Sequence, residues 1–142
     1  MKMQKFKFVV VTLLLVLVCG LTACGPKAVN RDKAFEKVKE FLASEYQISE
    51  TDVLTYKDVY YAEVTGNGDI TKDEMIGDVY FSIRISFAGS SGNQYLYYDA
   101  QEDKVSWKSP DADYSSCVDK IKSGELEGVW GELKGAEGEI KK

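Results

Sequence analysis

The spacing of hydrophobic residues changes along the chain, and each change predicts a different element. From Asn30 to about Tyr46 apolar residues recur every three or four positions, which predicts an amphipathic helix with Asn30 as its N-cap. Over residues 53–64 the period becomes two, which predicts a strand with a bulge near Asp58. Residues 66–77 are polar and predict a loop.

The clearest strand signal covers residues 79–87, where apolar and polar side chains alternate. We expect a two-residue turn at Ser91-Gly92 and a second tight turn at Glu102-Asp103, giving an antiparallel meander. The expected apolar face, covered by the first helix, consists of Phe81, Ile83, Ile85, Phe87, Leu96, Tyr98, Val105 and Trp107.

These turns fix a register that the structure can test. The first turn places Phe87 opposite Leu96, and Arg84 opposite Asp99 as a cross-strand ion pair. The second turn places Tyr98 opposite Trp107.

A second, shorter helix is expected after the meander. Ser109-Pro110 provides a cap and a first-turn proline, and Gly124 ends the helix. Cys117 lies on its apolar stripe, so we interpret it as a buried structural cysteine. Residues 124–142 repeat Gly-Glu every seven positions, and because glycine disfavours a helix we expect a loosely ordered tail.

Together these elements predict an α+β fold. An N-terminal helix packs on an antiparallel β-meander of about four strands, followed by a second short helix. Residues 30–123 form the single domain, and residues 124–142 form the Gly/Glu-rich tail.

The N-terminus has the three-part form of an export signal. Lysines precede the ten-residue stretch 9–18, which has one polar member and is too short for a membrane span of roughly 20 residues. The sequence Leu21-Thr22-Ala23-Cys24 that follows resembles the lipobox of bacterial lipoproteins. That resemblance implies removal of residues 1–23 and lipidation of Cys24, with residues 24–29 as a tether. The alternatives are a cleaved secretory signal and an uncleaved anchor with a chance cysteine.

Composition narrows the function. Removal of residues 1–23 leaves 119 of 142 residues, with 15 basic against 23 acidic side chains, a formal net charge of −8. Such a balance argues against nucleic acid as a partner. The chain contains no histidine, which excludes histidine-based nucleophilic catalysis and most zinc sites. We expect no cofactor.

Two patterns could still carry chemistry. Oxygen-bearing residues alternate over 67–74 and could bind calcium, but their spacing does not match an EF-hand and also suits a solvated connection. Paired carboxylates, such as Asp111 and Asp113, could serve a hydrolase, although they lie where turns or helix starts are expected.

The second face of the predicted sheet offers the best candidate binding surface. Tyrosine provides apolar area with a polar end, which suits contact with a peptide or a glycan. The alternative is that strands simply favour aromatic residues. The candidate residues are Tyr80, Arg84, Tyr95, Tyr97, Asp99 and Lys108.

The stretch from Asn30 to Lys108 resembles a PepSY-type domain. In that family a helix precedes an antiparallel meander whose last hairpin reads as an aromatic strand followed by Asp-Ala-x-Thr-Gly-x-Val/Ile. Asp99, Ala100 and Val105 match this pattern, whereas Glu102-Asp103 replaces Thr-Gly. A cystatin-like or nuclear-transport-factor-like sheet would give a similar order of elements.

The resemblance implies a module that regulates a peptidase or binds a protein or peptide outside the cell. We therefore expect a non-enzymatic lipoprotein, lipid-anchored on the extracytoplasmic face of a cell membrane. The alternatives are a small hydrolase, a ligand-binding subunit of the cell envelope, and a structural spacer.

Overall fold

A computed structural model describes residues 30–66, 76–108 and 113–142. The expected signal peptide, tether and Cys24, the oxygen-rich stretch 67–74 and Ser109-Pro110 lie outside these residues.

The described chain forms two helices and six strands. In chain order they are α1 (Arg31–Glu45), β1 (Leu54–Gly66), β2 (Val79–Phe87), β3 (Ser90–Asp99), β4 (Lys104–Trp107), α2 (Tyr114–Lys122), β5 (Glu127–Glu132) and β6 (Gly138–Ile140). The α+β fold, with a helix, an antiparallel meander and a second short helix, is confirmed.

All strand pairs are antiparallel, and the sheet has the order β4-β3-β2-β1-β5. Strand β6 also pairs with β1, through Leu54 opposite Ile140. Strands β5 and β6 therefore follow one another along the same edge of β1. Between them the amide of Leu133 donates to the carbonyl of Val59 at 2.7 Å, opposite an irregularity in β1.

Helix α1 covers one face of the sheet and builds the main core. Its stripe is Ala34, Phe35, Val38 and Leu42, all buried. The apolar sheet face expected beneath it is confirmed, because six of its eight residues are buried in this core and the rings of Phe87 and Trp107 pack against Tyr46. Asn30 occupies the N-cap position of α1 as expected, but its side chain donates to the carbonyl of Gly77 and makes no capping hydrogen bond.

The β2–β3 hairpin turns earlier than expected. Ala88 and Gly89 form the turn with φ of 51° and 82°, the positive values that a tight hairpin turn requires. Phe87 therefore lies opposite Ser90, six positions before Leu96, and Arg84 lies opposite Asn93. The expected ion pair between Arg84 and Asp99 is wrong. Because the shift is even, each side chain keeps its face.

The second turn is longer than expected. Residues 100–103 connect β3 to β4, and Tyr98 lies opposite Val105 instead of Trp107. The carboxylate of Asp99 accepts hydrogen bonds from the amides of Gln101 and Glu102, which fixes this turn.

The bulge expected near Asp58 is present and changes which residues face α1. Lys57 pairs with Arg84 and Tyr60 with Ser82, so two residues of β1 oppose one of β2, and Asp58 has a φ of 49°. After the bulge the odd positions of β1 face α1. Tyr60 therefore lies on the second face, not on that of Leu54 as its even spacing suggested.

Helix α2 packs on the second face. Its N-cap is Asp113, whose carboxylate accepts from the amide of Ser116 at 3.1 Å; the expected Ser109 cap is wrong. The expected stripe is confirmed, with Cys117 and Val118 buried in a second cluster. That cluster also contains Ala62, Val64, Tyr80 and Leu126.

The expectation of a loosely ordered tail is wrong. Residues 127–132 and 138–140 are strands of the sheet, so the domain extends well beyond residue 123. Gly128 permits the contact, because a Cβ atom there would lie 2.6 Å from Cδ1 of Ile121 and against the backbone of β1. The glycines that argued against a helix are therefore compatible with close strand packing.

Candidate functional site

Helix α2 covers only part of the second sheet face. It lies over the end of the sheet that carries Ala62 and Tyr80. The other end carries polar and aromatic side chains, which strand alternation and register bring together. We call this surface the open half-face; its residues are Thr55, Lys57, Tyr60, Ser82, Arg84, Ser86, Ser91, Asn93, Tyr95 and Lys108.

Two cations lie at the centre of the open half-face. Lys57 is directly opposite Arg84, and both are exposed. Directly opposed residues of antiparallel strands have Cβ atoms about 4.5–5.5 Å apart, a separation at which like charges repel. Within the described ranges neither side chain forms an ion pair.

Short hydroxyl side chains surround the two cations. Ser86 and Ser91 share a hydrogen bond of 3.0 Å between their Oγ atoms, and Ser82 is half-buried. A depression of ≈ 370 Å³ beside Lys57 is lined also by Thr55, Ser86, Glu137 and Glu139, among other residues. The surface is therefore a shallow polar platform with a cationic centre and two acids at the β6 edge.

Aromatic residues border the platform towards α2. Tyr60 is 39% exposed, and its ring lies 6.2 Å from that of Tyr114. Tyr95 is half-buried opposite Ser82, and the amide of Lys108 donates to its carbonyl at 3.4 Å. The ammonium of Lys108 lies 4.0 Å from the ring centroid of Tyr97, within the range of a cation–π interaction.

Two tyrosines of the expected face instead point into the cluster beneath α2. Tyr80 is 7% exposed, and its ring lies 4.9 Å from that of Tyr97. The Tyr97 hydroxyl donates to Oδ2 of Asp78 at 2.5 Å. Burial, followed by the hydrogen bond to Asp78 and the negative charge of that residue, raises the pKa of Tyr97 far above its usual value. Both phenols are thus neutral and structural.

Asp99, another residue of the expected binding surface, is not part of the open half-face. Its carboxylate holds the turn after β3, at the end of the sheet remote from Arg84. The structure thus brings together Arg84, Tyr95 and Lys108 of the six expected residues.

Sequence reasoning missed Lys57 and Tyr60. The bulge at Asp58 reverses the alternation of β1, so an uninterrupted count of two assigns Tyr60 to the wrong face. A polar Lys-Asp step inside a run of strand-forming residues is the signal that could have located both.

A buried carboxylate lies on the α1 face. Glu63 is 2% exposed, its Oε1 accepts from the amide of Asn30 at 3.1 Å, and its Oε2 has no hydrogen-bond partner among the described residues. Burial raises its pKa, while the Asn30 amide and the charge of Arg31 oppose that rise. The site joins β1 to the start of α1 and is structural.

Metal binding and thiol chemistry depend on how the acids and Cys117 are placed. In residues 30–66, 76–108 and 113–142 no cluster of three His, Cys, Asp or Glu side chains could hold a metal ion. Cys117 is 3% exposed, and burial raises its pKa to about 12, which leaves the thiol protonated and unreactive.

Comparison with known proteins gives no match to a protein-family model, to a curated protein or to a solved structure. Neither helix in the described part of the chain is long and apolar enough to cross a membrane.

Proposed function

We propose that the chain is an extracytoplasmic lipoprotein, anchored through lipid on Cys24, whose domain binds a protein or peptide on its open half-face. The anchor is supported by the basic start, the short apolar stretch and Leu21-Thr22-Ala23-Cys24. Two or more acyl chains on one residue give stable membrane attachment, whereas a single chain is marginal.

One observation carries the binding proposal: α2 leaves Arg84, Lys57 and two tyrosines accessible on a rigid sheet. Arginine and tyrosine are enriched at protein interfaces, where they combine apolar area with hydrogen-bond donors. A sheet holds such groups without the entropy cost of ordering a loop.

The buried acids have structural roles, which favours a binding function over a catalytic one. Asp78, Glu63 and Asp113 accept hydrogen bonds from backbone amides or from a tyrosine. A hydrolase needs acids that converge on an accessible cleft. These three instead hold a strand end, a helix start and a helix cap.

The anchor is tested by mass spectrometry of the protein extracted from native membranes. We expect a mature chain that starts at Cys24 and carries the mass of a diacylglycerol group. A Cys24→Ser variant should lose that mass and the membrane attachment. An unlipidated wild-type chain in the medium would overturn the anchor.

The binding surface is tested by a photo-crosslinking amino acid in the native cells. We place it at Asn93, within the open half-face, and as a matched control at Glu40, exposed on α1 at the opposite side of the sheet. A discrete protein or peptide adduct at position 93, with none at position 40, supports the proposal. Equal adducts at both positions, or none at position 93, would overturn it and favour a structural spacer.

A further inference from the structure

We infer that the segment bound by the open half-face is an acidic peptide, recognised by Lys57 and Arg84. This inference rests on the function proposed above and specifies the chemistry of its partner. It follows from the placement of charge on an otherwise acidic chain.

Neither cation forms an ion pair with another described residue, although Glu132 lies opposite Tyr60 and Glu137 lines the depression beside Lys57. Glu139, the acid on the adjacent edge strand, pairs with Lys141 at 3.1 Å. Asp99 is engaged by backbone amides at the far end of β3. The formal net charge is −5, yet here a lysine and an arginine stand opposed and unpaired in the part of the chain that the structure describes.

Opposed like charges destabilise a sheet unless an anion lies between them. A carboxylate of a bound segment would meet both cations at once, and the arginine fork suits its two oxygens. The hydroxyls of Ser82, Ser86 and Ser91 supply further hydrogen-bond donors, and Tyr95 supplies apolar area beside them.

The position of the cations favours a peptide over the membrane surface. The tether would join the domain at Asn30, whose amide contacts Glu63 on the α1 face. Glu63 lies six residues beyond Lys57 along β1, roughly 20 Å away at 3.3 Å per residue, and on the opposite face. Anchoring at Asn30 therefore leaves the open half-face free to meet a partner away from the bilayer.

The test uses the full chain in zwitterionic detergent micelles and two fluorescent ten-residue peptides, one of glutamate and one of glutamine. We expect binding of the glutamate peptide, measured by fluorescence anisotropy, that weakens as salt rises because exposed charges are screened. Lys57→Gln and Arg84→Gln should each weaken binding by about tenfold, in line with hydrogen bonds to charged groups. Lys104→Gln removes the same charge from the exposed edge strand β4, opposite Asp99 and outside the open half-face, and should leave binding within about twofold, as expected of an uninvolved residue.

Equal binding of the two peptides, or unchanged binding by both Lys57→Gln and Arg84→Gln, would overturn the inference. The inference would also fail if a Cys24→Ser chain bound anionic phosphatidylglycerol vesicles but not the glutamate peptide. That result would identify the surface as a membrane contact. An adduct at Asn93 in cells without glutamate binding would refute the acidic partner and leave the proposed function standing. Absence of both the Asn93 adduct and glutamate-peptide binding would refute the acidic partner and the proposed binding function together.

Discussion

The hydroxyl of Tyr97 donates a 2.5 Å hydrogen bond to Oδ2 of Asp78, and the amide of Ala100 donates to Oδ1 at 2.9 Å. Asp78 is 1% exposed, and its burial raises its pKa while these two donors oppose the rise. Its own carbonyl accepts from the amide of Val64 at 2.9 Å. One aspartate thus joins the start of β2, the end of β3 and β1.

We expect Asp78 and Tyr97 to be strongly coupled in stability. Tyr97→Phe removes a hydrogen bond to a charged group and should lower the free energy of unfolding by about 1.5–3 kcal/mol. Asp78→Ala should cost at least as much, because it leaves two partly buried donors, the Tyr97 hydroxyl and the Ala100 amide, without their acceptor. A double-mutant cycle by urea unfolding should give a coupling above about 1 kcal/mol. Tyr95→Phe, on the same strand, should change stability by under about 0.5 kcal/mol; additive effects would contradict the coupling.

Glu63 should make stability depend on pH. Its folded pKa is raised above the ordinary value of 4.5, so its favourable contribution is present below that value and disappears as pH rises through the folded pKa. Glu63→Gln keeps an acceptor for the Asn30 amide and removes the buried charge. Relative to wild type, this variant should gain stability as pH rises above about 4.5, measured by thermal unfolding followed by circular dichroism. A pH-independent difference would show that the charge is not the cause.

Gly128 should not tolerate a side chain. An added methyl would collide with the Glu63 carbonyl and with Ile121, so Gly128→Ala should lower the free energy of unfolding by about 1–3 kcal/mol. Gly92→Ala on β3 is the control, because no atom lies within 4 Å of its added Cβ. Hydrogen exchange should show the loss of protection confined to β5 and its partner. Equal effects of the two substitutions would disprove the close contact.

Neutralising Lys57 should stabilise the fold. Lys57→Gln removes the repulsion from Arg84, so we expect a gain of about 0.2–1 kcal/mol in chemical unfolding at low salt. The gain should shrink at high salt, where screening already reduces the repulsion. A salt-independent loss would mean that the lysine supports the sheet by packing.

Cys117 should resist alkylation in the folded protein. Its thiol is buried with a pKa of about 12, so iodoacetamide at pH 8 should leave it unmodified when peptides are mapped by mass spectrometry. Labelling after denaturation in urea is the control. Rapid labelling of the native chain would show that α2 opens readily.

The sheet faces were predictable, whereas the pairing was not. Alternation over residues 79–87 identifies the face that α1 covers, because that face is buried from Val79 to Ile85. The register escaped prediction because a shift of six residues leaves every side chain on the same face. Ala88, a non-glycine residue with positive φ, gives a weaker turn signal than Ser91-Gly92.

The candidate site was predicted in part for the same physical reasons. Arg84, Tyr95 and Lys108 follow from alternation alone. The face of Tyr60 depends on a bulge, and the burial of Tyr80 depends on where α2 packs, which is set by long-range contacts. The C-terminal strands were missed because glycine lowers helix propensity without revealing that a neighbouring strand needs its small size.

Strand β6 pairs with the beginning of β1, so residues 138–140 complete an edge that residues 54–56 begin. A chain that emerges from the ribosome or from a translocation channel starts with its N-terminus. It therefore exposes an unpaired side of β1 until almost all of the described sequence has followed. Removal of residues 138–142 would leave that edge open permanently, and a second chain could pair there.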